Sequence, residues 1–263
     1  MIDGQMLQGN PLSGSALAIR ARIDAVEAEI ARACARCGRE RASVTLIAVS
    51  KTHPATAVID AAAAGLRHFG ENRVEEAAKM DEVGRTVTGL TWHMIGHVQS
   101  RKAREIPLRY QWVHSVDSVK IAERYSRFAV ESDSTLDVLL EMNVSGEASK
   151  EGFRARDWEN NAAIRGVVWD AAKQIMAFPG LRVRGLMTVA PIVETVEQAR
   201  PTFVALRRLR DALASDLPSP VDSGKSGWDT LSMGMTDDFP LAIEEGATQI
   251  RIGRAIFGPR ESK

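Results

Sequence analysis

The nine residues LIAVSKTHP (46–54) run from a stretch suited to a buried strand straight into a lysine, and a proline then stops the strand. Lys51 reads in two ways. It is a solvated side chain at a strand end, as most lysines are, or it is a reactive amine at the mouth of a barrel. A second candidate lies near the other end of the chain, where TQIRIGRAIFG (248–258) sets Arg251 between two isoleucines. Strand side chains alternate between faces. If Ile250 and Ile252 face outer helices, then Gln249, Arg251 and Gly253 face inward, where a guanidinium is costly unless its hydrogen bonds are accepted. The same alternation in WDTLSMG (228–234) sends Leu231 and Met233 outward and Ser232 and Gly234 inward. Ile47, Val49 and Lys51 share one side of their strand, and Asn72 shares a side with Gly70 and His68.

The elements that must hold these residues alternate in type along the chain. A first helix is expected over roughly 15–37, with Ile19, Ile23, Val26 and Ile30 on one face, and Gly38 suits its C-cap. Strands are expected at 44–50, 68–72, 91–98, 112–117, 136–144, 182–190, 228–234 and 248–258, with helical patterns such as AVIDAAAAG and SVKIAERYSRFAVES between them. Eight strands separated by helices is the count of an α/β fold of the single (β/α)8 barrel type, here with an additional N-terminal helix. A doubly wound open sheet would show a Gly-rich first turn, which this sequence lacks. Residues 1–14 read as a flexible segment and 15–260 as the barrel. The stretch LPSPVDSGKSG (217–227) precedes strand seven, on the bottom face, where an insertion disturbs no active site.

Barrels carry their chemistry at the C-terminal ends of their strands and often bind phosphate after strands seven and eight. Lys51, Asn72, Ser232, Gly234, Arg251 and Gly253 all fall at or near such ends. A Gly-Arg step after strand eight (Gly253, Arg254) offers backbone N–H groups and lets an anion approach the chain. One amine, one phosphate cradle and one inward arginine together suit an aldehyde bearing a phosphate, and pyridoxal phosphate fits that description. Its aldehyde would join Lys51 as a Schiff base, its phosphate would lie on Ser232 and the N–H groups of Gly253 and Arg254, and its ring nitrogen would face Arg251. An arginine there donates to an unprotonated ring and mutes carbanion chemistry. The alternative for Arg251 is a buried ion pair with an acid on another strand, such as Glu141.

Composition narrows the classes. Lys and Arg number 34 against 34 Asp and Glu, so nothing marks a nucleic-acid or anionic-membrane surface. No apolar run approaches the ~20 residues of a membrane helix, and the first residues lack the order of a signal peptide. A soluble, cytoplasmic protein is expected. Cys34 and Cys37 form a C-x-x-C that closes a helix rather than opening one, without the further ligands of a zinc site. They read as structural or incidental, and no metal is expected.

At the level of whole motifs the chain resembles the pyridoxal-phosphate homeostasis protein family, from about residue 15 to Gly258. The motifs are LIAVSKTHP, HFGENRVEEAAKM, WHMIGHVQSRK, HSVDS, MNVSGEASKEGF, GLMTVAP, LSMGMTDDFPLAIEEGATQIRIG and IFG. The resemblance implies the barrel of the alanine racemase N-terminal domain, the cofactor on Lys51, Asn72 beside it, Ser232 and Gly253 on its phosphate, and Arg251 at its ring nitrogen. His93 and Met233 are further candidates for contact with the cofactor. Arg254 stands where many relatives have Ser or Thr, so it brings a charge to the phosphate or turns to solvent. Arg73 replaces an aromatic, which removes any ring contact from that position.

The resemblance further implies storage and delivery of the cofactor with little or no turnover. Expected partners are other B6 vitamers and, transiently, enzymes that make or use the cofactor; the basic stretch at 96–104 reads as a docking surface, a second phosphate site or the solvated start of a helix. A monomer is expected. Two enzymatic alternatives stand beside this. One is an amino-acid racemase using Lys51 and either His93 or water as its two bases; Tyr110 and Tyr125 look badly placed for that role. The other is a barrel aldolase using Lys51 without the cofactor.

Overall fold

In the computed structural model, which describes residues 14–218 and 227–259, eight parallel strands close into a barrel. They are β1 (Thr45–Val49), β2 (His68–Glu71), β3 (Thr91–Met94), β4 (Trp112–Val116), β5 (Leu136–Asn143), β7 (Leu181–Met187), β8 (Thr230–Ser232) and β9 (Gln249–Ile252). β1 pairs with both β2 and β9, and β4 pairs with β5 to complete the ring. A two-residue strand, β6 (Phe153–Arg154), adds to β5 outside the ring. The expected segment 1–14 and the insertion at 217–227 lie almost wholly outside the described residues.

The alternation read from the sequence produces two separate surfaces. Leu46, Ala48, Leu231, Met233, Ile250 and Ile252 join the apolar layer between strands and helices. Ile47 faces the lumen, where it would meet a side chain added at Gly70, and Ser232 and Arg251 are buried there. The outer layer consists of α2 (Ala55–Ala63), α3 (Ala77–Gly84), α4 (Val119–Glu131), α5 (Ala162–Met176), α6 (Arg200–Asp216), α7 (Phe239–Glu244) and α8 (Arg254–Phe257). Helix α1 (Gly14–Arg36) lies across α2, α7 and α8. Its buried face is Ile19, Ile23, Val26, Ile30 and Ala33, and burying each large aliphatic side chain is worth about 1.5–3 kcal/mol.

Cys34 is buried at the end of α1 and the Cys37 thiol donates to the Ala33 carbonyl at 3.3 Å; burial pushes the Cys34 thiol up, away from thiolate chemistry. Several expected strands are shorter than read, the seventh being only Thr230–Ser232 and the sixth ending at Met187. The third ends at Met94, and residues 100–105 form a 3-10 turn where a helix start was one reading. The eighth ends at Ile252, because Gly253 leaves the extended conformation and opens α8.

Candidate functional site

A cleft of about 680 Å³ opens at the C-terminal ends of the strands. Lys51, Asn72, Arg251, Gly253 and Arg254 line it together, drawn from the ends of β1, β2 and β9. Val49, Ile95 and Val189 supply apolar wall.

The backbone under Lys51 is held by buried charge. Ser50 Oγ donates to Glu71 Oε1 at 2.6 Å, Lys79 Nζ lies 2.7 Å from the same oxygen, and it also donates to the Ser50 carbonyl at 2.9 Å. Burial pushes the Glu71 carboxyl up, and Lys79 partly offsets it. The next residue, Thr52, has φ 68°, a conformation costly for a β-branched side chain. The chain thus turns sharply after the lysine, and the Ser50–Glu71–Lys79 cluster fixes the turn. Asn72 follows Glu71 and is packed from the other side by Gly96, where a Cβ would fall 2.3 Å from the Asn72 carbonyl oxygen. Only glycine permits that approach.

Arg251 is buried, with NH1 donating to Ser232 Oγ at 2.5 Å and NH2 to the Thr188 carbonyl at 3.0 Å. Desolvation pulls the guanidinium down to about 10, while Asp238 and Glu141 support its charge. Among the described residues no ion pair joins it to Glu141, so the accepted hydrogen bonds come from a hydroxyl and a carbonyl. Glu141 lies at the mouth, pushed up to about 7 by burial and by Asp117, with Arg251 and His97 pulling the other way. His97 Nδ1 lies 2.6 Å from Asp117 Oδ2. With Glu151 these two bring ligand atoms within 4.8 Å of one another, a spacing open to a cation, although the sequence pointed to no metal.

Several candidates are near the cleft without lining it. Ser232 is fully buried, its hydroxyl engaged by Arg251 and His114. Gly234, at φ 94°, accepts from the Arg251 N–H at 3.0 Å. A Cβ there would lie 2.7 Å from Ala242 Cβ, so this glycine lets the loop after β8 pack on α7. The Met233 side chain belongs to the outer core. His93 is fully buried between His68 and His114, with both ring nitrogens engaged. Tyr110 and Tyr125 are buried against the helices, and burial pushes both phenols up.

Arg254 takes neither expected course alone: exposed at the rim, it forms a two-pronged pair with Asp237 at 2.7 Å. Arg73 opens onto a different cleft, with His97 and Lys102. Thr236 was missed. It lines the cleft beside Asp237, two residues beyond Gly234, and a hydroxyl in a loop carries no periodic signal.

The residues present fit pyridoxal phosphate. Asn72 Oδ1 is buried and has no partner among the described residues, which is expensive unless a ligand supplies a donor. The N–H groups of Arg254 and Ala255 open a helix and have no acceptor within it.

Comparison with known proteins agrees. The model of the alanine racemase N-terminal domain family matches residues 22–261. The pyridoxal phosphate homeostasis protein of Pseudomonas aeruginosa is 46% identical over 245 residues, covering 92% of this chain and 96% of that protein. The solved structure of PipY from Synechococcus elongatus with pyridoxal phosphate bound is similar at a TM-score of 0.73 and 35% identity, over 91% of this chain and all of that one. An alanine racemase of Clostridium difficile shares the fold at a TM-score of 0.62 and 12% identity, with 58% of its length covered. The chain therefore belongs to the pyridoxal phosphate homeostasis protein family, built on the alanine racemase N-terminal barrel.

Proposed function

We propose that this protein binds pyridoxal phosphate in the barrel-mouth cleft and serves in keeping the cofactor available, with little or no turnover of its own. The observation that carries the reading is the convergence of Lys51, Asn72, Arg251 and Gly253 on one cleft. When bound, the cofactor supplies an electrophilic aldehyde and a conjugated ring able to withdraw electrons. Lys51 Nζ is the amine for the aldehyde, bonding through a Schiff base with loss of water. Arg251 donates to the ring nitrogen, and its charge disfavours a proton there. The Asn72 amide meets the polar edge of the ring. Gly253, Arg254 and the Thr236 hydroxyl receive the phosphate, with Ser232 acting from beneath through Arg251 and Gly234 by shaping the loop. His93 and Met233 support these residues from behind.

The racemase reading finds less support. The bases weighed for it, both tyrosines and His93, are buried away from the cleft, and His53 is the imidazole that lines it. The aldolase reading leaves the phosphate cradle unused. The same cleft admits other phosphorylated B6 vitamers held without the covalent bond. Transient hand-over to enzymes that use the cofactor, a monomeric state and a cytoplasmic location complete the proposal.

The test is to titrate the cofactor-free protein with pyridoxal phosphate, then mix the loaded protein with an apo-enzyme that needs the cofactor. Saturable yellow colour and recovery of the apo-enzyme's activity support the reading. Rapid α-deuteration of amino acids in deuterated water, lost in Lys51→Ala, would replace it with the racemase.

A further inference from the structure

The barrel lumen contains a line of polar side chains that the cleft itself does not need. His68 Nδ1 lies 3.0 Å from His93 Nε2, His93 Nδ1 lies 3.0 Å from His114 Nε2, and His114 Nδ1 lies 2.8 Å from Ser232 Oγ. Ser232 Oγ in turn accepts from Arg251 NH1 at 2.5 Å. The residues come from inward positions on β2, β3, β4, β8 and β9, so the line passes from one wall to the other. Lumens of such barrels are usually filled by branched apolar side chains. Here His93, His114 and Ser232 are wholly buried, and His68 is part-exposed at the N-terminal end of its strand.

The direction of every hydrogen bond in the line follows from one end. Arginine has only donors, so Ser232 Oγ must accept from it. The serine proton then needs an acceptor, and among the described residues the one Ser232 meets is His114 Nδ1; a buried hydroxyl without an acceptor is costly. With Nδ1 accepting, the proton of neutral His114 is on Nε2 and is donated to His93 Nδ1. His93 then carries its own proton on Nε2 and donates to His68 Nδ1, leaving the His68 Nε2–H for the partly open end. Each imidazole turns its lone pair toward Arg251 and its N–H away from it, the orientation that a cation favours. Burial holds His93 and His114 well below the ordinary imidazole value. The His68 ring lowers His93 further, and His93 and Arg251 lower His114 further.

We propose that His68, His93, His114 and Ser232 form a directed hydrogen-bond relay through the lumen that positions Arg251, with all three imidazoles neutral and protonated on Nε2. These are positioning residues: none lines the cleft, and they act through the guanidinium. The relay itself stands without any ligand. Its effect on a cofactor ring rests on the proposed pyridoxal phosphate site.

The chain has only five histidines, so nitrogen-15 NMR of the full-length, cofactor-free protein at pH 7 resolves the rings once each is assigned by substitution. The expected result is three neutral Nε2–H tautomers at positions 68, 93 and 114, with Nδ1 shifts typical of accepting nitrogens. A Nδ1–H tautomer or a charged ring at position 93 or 114 would overturn the relay, and this outcome does not depend on whether any cofactor binds.

The positioning role is read from the bound cofactor. Ser232→Ala cuts the relay at Arg251 and should shift the visible absorption band of the loaded protein and weaken pyridoxal phosphate binding about tenfold, the scale of one charge-assisted bond. His114→Leu should do the same, whereas His114→Asn, which keeps an acceptor near the Nδ1 position, should restore the band. A folded Ser232→Ala or His114→Leu with the wild-type spectrum and affinity would overturn the positioning role. A wild-type protein that takes no cofactor at all would overturn the reading of the cleft and the positioning role together, while the tautomers still decide the relay.

Discussion

Glu141 gives the sharpest quantitative test of the electrostatics at the barrel mouth. Its carboxyl stands at about 7, raised from 4.5 first by burial and then by Asp117. The folded protein therefore holds this proton more tightly than the unfolded chain between those two values. Stability must fall as pH rises through that window and level off above it. The gap corresponds to about 3 kcal/mol in total, of which about 2 kcal/mol falls between pH 5.5 and 8.5. Glu141→Gln keeps the shape and removes the titration. Urea unfolding of both proteins at pH 5.5, 7 and 8.5 isolates the contribution, because every other titrating group is common to both. The variant should gain on the wild type by about 2 kcal/mol from the lowest to the highest pH. A constant offset across the series would mean that Glu141 ionises in the folded protein as it does in the unfolded chain, with no upward shift at all.

Other perturbations probe the scaffold around the cleft. Lys79→Met leaves Glu71 buried without its cation and should cost about 3–5 kcal/mol in chemical denaturation, with a matching loss of cofactor affinity as the turn carrying Lys51 loosens. Gly234→Ala must accept φ 94° and a Cβ only 2.7 Å from Ala242; a loss of about 2–4 kcal/mol is expected from strain and overpacking, read as a lowered urea midpoint. Arg254→Ala removes an exposed pair with Asp237 and should change stability by less than about 1 kcal/mol. The same variant should weaken phosphate-bearing ligands and flatten the salt dependence of their binding in a titration.

What could be read from the sequence was the alternation. Isoleucines at 250 and 252 were enough to send Arg251 into the lumen, and Leu231 and Met233 did the same for Ser232. Lys51 at a strand end and Asn72 after a second strand followed from the barrel rule, and the family motifs agreed. Interactions that depend on closure of the ring were not legible. His114 and Ser232 are 118 positions apart, and nothing local says that their side chains meet across the lumen. Ser232 was consequently expected on the phosphate, whereas its hydroxyl is engaged by Arg251 and His114. Thr236 and Asp237 escaped for a different reason, since loop residues have no period from which a facing can be derived. The strand expected over 248–258 runs past its true end because RIGRAIFG is apolar enough to extend, yet the turn into α8 begins at Gly253.

The covalent attachment of the cofactor to Lys51 can be trapped by borohydride reduction of the loaded, full-length protein. Proteolysis and mass spectrometry of the reduced protein should find the pyridoxyl phosphate group on the peptide containing Lys51, and Lys51→Ala should lose both the adduct and the yellow colour. An adduct on another lysine, or a chromophore retained in Lys51→Ala, would mean that Lys51 is not the residue that carries the cofactor.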